Sequence, residues 1–340
     1  MLLPGPLRHP VGSEAMSDVF ITLFDNAYLH HGLALHRSLR RHAPDSRLAV
    51  IAMDDLCLAT LRHLALPRME VLDVESLLDA PLRAVRLSRT RGEFCWTLSP
   101  LALQTGLRLA GPAGRAVYVD ADLWFTDDPR RILDLMGGAS IQLTEHGFPP
   151  DVHHQESIRH GRFCVQFVAA TGEPEAARAI AWWRDRCTEW CHDRVEPGRF
   201  GDQKYLDQWP GMLGNRLQVP DPSLIAGPWN MRWFNGAHDQ RPVAMHFHGW
   251  KALPGGWRWI RGYRIPTYFR DAYAAYQAEL EAVMRDWLSG PPAGWRVPIA
   301  CEAGGLMSVA KRLARRLTGR EVVRPLLDRS LRPLFRASAT

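Results

Sequence analysis

The sequence predicts an α/β fold in which a mostly parallel sheet is flanked by helices. Two short apolar runs, Val19–Phe24 and Arg47–Met53, have the composition of buried strands, and leucines recur at helical spacing between them. This strand-helix-strand order is characteristic of parallel sheets. Later segments continue the alternation, with strands expected at Ala116–Val119 and Phe163–Ala169 and helices expected at Trp96–Leu109, Glu173–Trp190 and Tyr268–Trp287.

The length and composition are those of a large globular domain. The chain has 340 residues, of which 46% are hydrophobic and 23% charged, which is the ordinary globular range. It has no run of 18 or more apolar residues, so no transmembrane helix is predicted. We expect an extension at residues 1–15, a domain at residues 16–290 with two halves that meet near residue 135, and a separate segment at residues 291–340.

The net charge of +6 is concentrated in the last segment. Residues 301–340 hold nine Lys/Arg and three Asp/Glu, so the first 300 residues are neutral by count. A neutral body gives no support to nucleic-acid binding. Within the tail, apolar residues at helical spacing alternate with basic ones, which is the pattern of an interfacial amphipathic helix. Peripheral membrane contact through residues 306–336 and a helix docked on the protein itself are both compatible with it.

The six cysteines show no spacing typical of a disulfide framework, which favours a reducing cytoplasm. Cys187 and Cys191 lie four residues apart on an expected helix and precede His192. A zinc site there would need two further ligands at similar spacing, so a structural role is favoured.

Two aspartates follow the strand expected at Ala116–Val119. Asp120 and Asp122 are separated by one residue, so a turn can direct both carboxylates to the same side. Ligands of parallel α/β sheets bind beyond the carboxyl ends of the strands. Hard divalent cations prefer oxygen ligands and often share them with phosphates. The apolar Leu123-Trp124-Phe125 that follows favours a partnered site over a solvated turn, because unpartnered charge between apolar runs is costly.

Four segments resemble those of GT-A nucleotide-sugar glycosyltransferases, and they are most similar to the family 8 type that includes glycogenin and bacterial lipopolysaccharide galactosyltransferases. They occur in the order known for that family and span residues 19–251. They are Asp25-Asn26-Ala27-Tyr28, Val117-Tyr118-Val119-Asp120-Ala121-Asp122-Leu123, Gly201-Asp202-Gln203 and His246-Phe247-His248-Gly249-Trp250-Lys251.

The resemblance implies a metal-dependent, retaining hexosyltransferase of GT-A (Rossmann-like) fold. It would transfer sugar from a UDP-sugar to a saccharide or lipid-linked saccharide in lipopolysaccharide, O-antigen or capsule synthesis. The first half would bind nucleotide and the second half acceptor. Asp120, Asp122 and His246 would bind Mn²⁺ (or Mg²⁺), with His248 as the alternative to His246.

The resemblance also implies contacts to each part of the donor. Asp120 and Lys251 would meet the diphosphate, although Lys251 comes one residue earlier than in the family. Asp202 and Gln203 begin a helix expected at Gly201–Trp209; Asp202 would bind sugar hydroxyls with Gln203 near the anomeric carbon. The alternative is that Asp202 only caps this helix, and both roles are compatible. The expected nucleoside contacts are Thr22 through its main chain, Asp25, Asn26 and Tyr28, with Arg89 or Arg91 replacing a family arginine.

Tryptophan is abundant, with 13 residues, of which six lie between positions 209 and 259. Aromatic rings cover the apolar faces of sugars well, so Trp229 and Trp233 are candidates for acceptor contact, against ordinary core packing. Two other interpretations stay open: a haloacid-dehalogenase-like phosphatase, which also carries Asp-x-Asp after a strand, and a non-catalytic saccharide-binding relative.

Overall fold

The computed structural model describes residues 18–234, 241–252, 258–260 and 265–288. The expected extension at residues 1–15 and the tail at residues 291–340, with its proposed membrane helix, lie outside the described residues. In the described residues, no helix combines the length and the apolar character needed to cross a membrane.

A mixed sheet of seven strands forms the centre of the described part, in the order β3-β2-β1-β4-β7-β6-β8. β1 pairs in parallel with β2 and β4, whereas β7 is antiparallel to both of its neighbours. The strands of this sheet are β1 (Asp18–Phe24), β2 (Arg47–Ala52), β3 (Met69–Asp73), β4 (Arg115–Val119), β6 (Ile141–Glu145), β7 (Phe163–Thr171) and β8 (Leu217–Gln218).

Two smaller sheets complete the strands of the described part. β5 (Leu123–Phe125) pairs antiparallel with β10 (Ala244–His246), which pairs in parallel with β9 (Ile225–Ala226). β11 (Trp250–Ala252) pairs with β12 (Arg258–Ile260). Because β5 comes directly after Asp122, its pairing with β10 places residues 244–246 beside the Asp120-Ala121-Asp122 motif.

Helices cover both faces of the central sheet. Alternate residues of β1 belong to different cores: Phe20 packs in the core that includes α1 and α9, and Ile21 in the one that includes α4 and α7. The helices are α1 (Leu29–His42), α2 (Asp55–Leu64), α3 (Ala80–Arg86), α4 (Arg91–Ala110), α5 (Arg130–Leu133), α6 (Pro150–His160), α7 (Pro174–Glu189), α8 (Trp209–Leu213) and α9 (Arg270–Val283).

Several helix boundaries differ from those predicted. α4 begins at Arg91 rather than Trp96 because Thr90 and Glu93 form a reciprocal capping box. The helix expected at Gly201–Trp209 is instead a 3₁₀ helix, Gln203–Gln208, followed by α8. The last expected helix ends in a π-helical turn at Met284–Leu288.

Ion pairs attach α9 to α1. Glu279 accepts a hydrogen bond from Arg41 at 2.8 Å and lies 3.6 Å from Arg37. The Arg37 guanidinium also covers the Trp287 ring at 4.4 Å. Exposed pairs of this kind contribute little individually, so the buried apolar face of α9 supplies most of the attachment.

Gly32 allows α1 to approach β1 closely. A Cβ at this position would lie 2.2 Å from the ring of Phe24, which is 2% exposed. We expect Gly32→Ala to lower the free energy of unfolding by about 1–3 kcal/mol because the packed ring must shift. Gly92→Ala is the matched control, since nothing lies within 4 Å of its Cβ. Urea unfolding that shows no loss for Gly32→Ala relative to Gly92→Ala would contradict this packing.

Candidate active site

The candidate site lies where β1 and β4 separate. Their pairing runs from Asp18 opposite Arg115 to Ile21 opposite Tyr118 and ends there. After β1 the chain adds β2 and β3 on one side of β1, and then adds β4 on the opposite side. The strand order therefore reverses between β1 and β4, which makes this gap the topological switch point of the sheet. Ligands of open α/β sheets bind at such points, and both Asp25 and Asp120 lie at this edge.

The Asp-x-Asp turn is held in place by its neighbours. The main-chain N–H of Asp120 donates to the Gln166 carbonyl at 3.2 Å, and the Tyr118 hydroxyl donates to the Asp120 carboxylate at 3.1 Å. The Asp122 carbonyl accepts from Phe247 N–H at 3.0 Å. Asp122 is buried, whereas the Asp120 side chain remains partly accessible.

His246 reaches this turn through the pairing of β10 with β5, which places it opposite Leu123. Its Nε2 lies 3.0 Å from Asp122 Oδ1 and 3.6 Å from Asp120 Oδ2. Its Nδ1 lies 2.8 Å from Gln166 Oε1. The predicted ligands Asp120, Asp122 and His246 are therefore brought together.

His248 also belongs to the cluster. One ligand atom from each of Asp122, His246 and His248 can be chosen so that all three lie within 4.8 Å of one another. The two imidazole centroids are 5.6 Å apart. The sequence left His246 and His248 as alternatives, and the structure brings both to Asp122.

Burial and the charges of neighbouring groups act in opposite directions on the pKa of each of these groups. Burial raises the pKa of Asp120 to about 6, with His246 opposing the rise. Burial acts in the same direction on Asp122, but the charge and hydrogen bond of His246 hold its pKa well below the usual range. Burial disfavours the charged His246, yet Asp122 raises its pKa well above the ordinary value. The cluster is therefore stable only when positive charge accompanies its carboxylates.

The donor set fits a divalent cation. Carboxylate oxygens suit Mg²⁺ and Mn²⁺, while imidazoles suit transition metals. Asp120, Asp122, His246 and His248 offer both kinds of ligand in one partly buried cluster. The combination favours Mn²⁺ over Mg²⁺ on ligand chemistry.

The expected nucleoside turn lies across the gap at the end of β1. Asp25 accepts a hydrogen bond from Tyr28 N–H at 3.2 Å and so caps a 3₁₀ turn. Its second oxygen lies 3.0 Å from Arg91 Nη1, while Asn26 N–H donates to Asp54 at 3.0 Å. Thr22 is fully buried in β1. These residues form a polar end to an otherwise apolar strand.

Of the two arginines proposed to replace the family arginine, only Arg91 lies at this turn. Arg89 instead contacts His192 and the carbonyl of Thr188 near the end of α7. The Arg91 side chain is 68% exposed, so its pair with Asp25 leaves it accessible.

Asp202 lies close enough to the Asp-x-Asp turn for the charge of Asp120 to act on its carboxyl group. It is buried, and burial raises its pKa to about 7; a hydrogen bond with Ser99 opposes the rise and the charge of Asp120 adds to it. It occupies the N-cap position, but its side chain makes no capping hydrogen bond. The capping interpretation of this side chain was therefore wrong. Gln203 donates its amide to the His160 carbonyl at 2.8 Å, which ties this segment to α6.

Trp229 forms an aromatic wall beside the histidines. Its ring lies edge-on to His246 at 5.2 Å and to His248 at 5.8 Å. The turn that carries it is fixed, because Asn230 accepts from Gly227 N–H at 2.8 Å. A Cβ on Gly227 would lie 2.6 Å from the Trp229 ring. The side chains of the other two candidates, Trp233 and Lys251, lie outside the described part of the chain.

The sequence interpretation missed Gln166. It is fully buried in β7, and it contacts two members of the cluster, Asp120 through its main chain and His246 through its side chain. A signal was available: Gln166 is the one amide in the otherwise apolar stretch Phe163–Ala170. Buried polar side chains require partners.

Comparison with known proteins places the chain in a family. No protein-family model matches it. It is 31% identical over 214 residues to the uncharacterised protein YfnD of Bacillus subtilis (strain 168), covering 68% of that protein and 62% of this chain. YfnF of the same strain is 27% identical over 252 residues, covering 83% of YfnF and 70% of this chain. The chain belongs to the same family as YfnD.

The fold is that of GT-A glycosyltransferases, as predicted. The structure is similar to the crystal structure of the active-site mutant Q189E of LgtC, with a TM-score of 0.52 and 14% sequence identity. The alignment covers 81% of this chain and 98% of that one. At this identity the similarity establishes architecture.

The raised pKa of Asp202 predicts a pH-dependent stability. Between the unfolded value of 3.8 and the folded value of about 7, the folded chain binds more protons, so stability falls as pH rises. Asp202→Asn stays neutral and should remove this slope, an effect of at most about 4 kcal/mol. The quantity to measure is the melting temperature of Asp202→Asn minus that of wild type at two pH values. We expect this difference to be more positive at pH 8 than at pH 5. An equal difference at both pH values would contradict the assignment.

Proposed function

We propose that this protein is a metal-dependent glycosyltransferase that moves a sugar from a UDP-sugar to a saccharide acceptor. The observation that carries the proposal is the cluster of Asp120, Asp122, His246 and His248 at the switch point of a GT-A sheet. The structural motif Asp-x-Asp ends a central strand there, and a late β-strand delivers the imidazoles.

Asp120, Asp122, His246 and His248 would hold the cation. A bound Mn²⁺ or Mg²⁺ would neutralise the negative charge that builds on the departing diphosphate. The protein's contribution is preorganisation: Tyr118 and Gln166 fix Asp120, and Phe247 fixes the main chain of Asp122. Lys251 is proposed to meet the same diphosphate as a mobile cation.

The nucleoside would occupy the gap between β1 and β4. The Asp25 carboxylate accepts a hydrogen bond from Tyr28 N–H and pairs with Arg91. These contacts fix its orientation, so it would be an acceptor for the base or ribose. The Tyr28 ring is half-buried and can stack on the base. Thr22 main chain and Asn26 complete this proposed wall.

The donor sugar would lie toward Asp202. When ionised, its carboxylate accepts two directed hydrogen bonds, which suits recognition of vicinal hydroxyls. Because the pKa of Asp202 lies near neutrality, hydroxyl donors from a sugar would stabilise its charged form. Gln203 is proposed near the anomeric carbon, where its bond to His160 would fix its orientation.

Sugar transfer breaks the bond between the anomeric carbon and the diphosphate and forms a bond to an acceptor hydroxyl oxygen, whose proton is released. Retention of configuration is proposed from the resemblance to family 8. Trp229, beside the histidines, would cover an apolar sugar face, with Trp233 as a second candidate. The acceptor is proposed to be a saccharide, free or lipid-linked, of a cell-surface glycan, with the enzyme at the cytoplasmic face of the membrane.

The phosphatase alternative fits the topology poorly. In that family the Asp-x-Asp follows an early strand, whereas here it follows β4 and is continued by β5, which recruits His246. A non-catalytic saccharide-binding relative would retain the fold without turnover. Hydrolysis of UDP-sugars in the presence of Mn²⁺ separates both alternatives from the transferase.

Loss of one cation ligand should abolish most turnover. We expect Asp120→Ala and Asp122→Ala each to lower kcat for UDP-sugar hydrolysis at least about a hundredfold, because charge stabilisation of the leaving diphosphate is lost. The exposed Asp134 provides the matched control, and Asp134→Ala should retain activity. Full activity of the wild type in excess EDTA would contradict metal dependence.

Nucleotide binding should depend on the cation. We expect UDP at about 100 times its Kd to stabilise the fold by about 2.7 kcal/mol when Mn²⁺ is present. Without the cation the effect should be much smaller, since the carboxylates repel the diphosphate. Thermal unfolding with UDP, Mn²⁺ or both measures this. A UDP shift that is equal with and without the cation would contradict the proposal.

A further inference from the structure

The contacts of Gln166 distinguish it from the other residues around the cluster. Its main-chain carbonyl accepts from Asp120 N–H at 3.2 Å, and its side-chain oxygen lies 2.8 Å from His246 Nδ1. Gln166 therefore contacts both Asp120 and His246, although His246 is 80 residues away from it in sequence. The residue is fully buried, so water does not compete for either contact.

We propose that Gln166 is the positioning residue that selects the metal-binding tautomer of His246. An amide oxygen can only accept, so Nδ1 carries a hydrogen toward Gln166, and Nε2, which faces Asp120 and Asp122, would be the nitrogen left to coordinate a cation bound there. Metal-ligating histidines generally need such a partner on the second ring nitrogen. This inference rests on the metal site proposed above and assigns a residue outside the ligand set.

The strand geometry explains why Gln166 can contact both Asp120 and His246. β7 is antiparallel to β4, with Phe167 opposite Val119. The ladder therefore continues to Gln166 and Asp120 at the end of β4. The side chain at position 166 then points to the sheet edge where β10 delivers His246. A shift of one residue in register would turn the amide to the opposite face.

Cys164 is the competing candidate for this role. It lies two residues before Gln166 on β7 and also hydrogen-bonds His246. Thiols are weak donors and weak acceptors, whereas an amide oxygen is a strong acceptor. The orientation of His246 should therefore depend on Gln166 far more than on Cys164.

The test is Mn²⁺ binding to the full chain without nucleotide, followed through the electron paramagnetic resonance signal of free Mn²⁺. We expect Gln166→Leu to weaken Mn²⁺ binding about 10–100-fold. Gln166→Glu keeps an acceptor and should bind Mn²⁺ within about threefold of wild type. At saturating Mn²⁺, the ¹⁴N coupling from imidazole should weaken in Gln166→Leu and persist in Gln166→Glu.

Two variants control for packing. Gln142 is a fully buried glutamine on neighbouring β6, and its amide donates to the Ile132 carbonyl at 2.9 Å, away from the cluster. Gln142→Leu removes the same buried amide group as Gln166→Leu, but at a distance from the cluster. It should leave the Mn²⁺ affinity within about twofold of wild type. Cys164→Ala should also leave the affinity within about twofold, because the thiol is a weak partner.

Each outcome separates the two proposals. Wild-type binding of Mn²⁺ together with unchanged binding by Gln166→Leu overturns the positioning role and leaves the metal site standing. Equal losses in Gln166→Leu and Gln166→Glu also overturn it, since both variants would then act through packing. Absence of Mn²⁺ binding by the wild type overturns the metal site itself, and the inference with it.

Discussion

The placement of two neighbouring carboxylates directly after β4, one buried and one partly accessible, is the constraint on which the site depends. Charge removed from water is costly unless positive charge and hydrogen bonds accompany it. Asp122 is covered by the small β5-β10 sheet, which brings its counter-charge, His246, to 3.0 Å. The arrangement offsets the buried charge while the apolar strand that precedes it remains in the core.

The aromatic packing around this sheet serves the same constraint. Phe247, next to His246, stacks on Tyr276 of α9 with ring centroids 3.7 Å apart. The Tyr276 hydroxyl is in turn hydrogen-bonded to His31 of α1 at 2.7 Å. α9 therefore supports β10 from behind, and the ion pairs between Arg41 and Glu279 continue the contact along α1. The helix closest to the end of the described chain thus belongs to the architecture of the site.

Much of the fold, and the local motifs of the candidate site, could be predicted from sequence. Apolar runs such as Val19–Phe24 can be recognised as strands because their burial determines their structure. The Asp-x-Asp motif can be recognised because its residues are neighbours in sequence. Contacts between distant segments leave no such signature, so neither the register that places Gln166 beside Asp120 nor the pairing of Asp25 with Arg91 followed from spacing. Asp202 was expected as an alternative helix cap, because residue propensity cannot show that its side chain makes no capping hydrogen bond.

The pairing of β5 with β10 has a consequence for biosynthesis. β5 emerges early, whereas β10 is made only after α7, α8 and β9. Contacts of such large sequence separation form late in folding because loop closure must precede them. A nascent chain that ends before β10 holds Asp120 and Asp122 without their imidazoles. The proposed cation site would therefore gain its two imidazoles only after residue 248 has been synthesised.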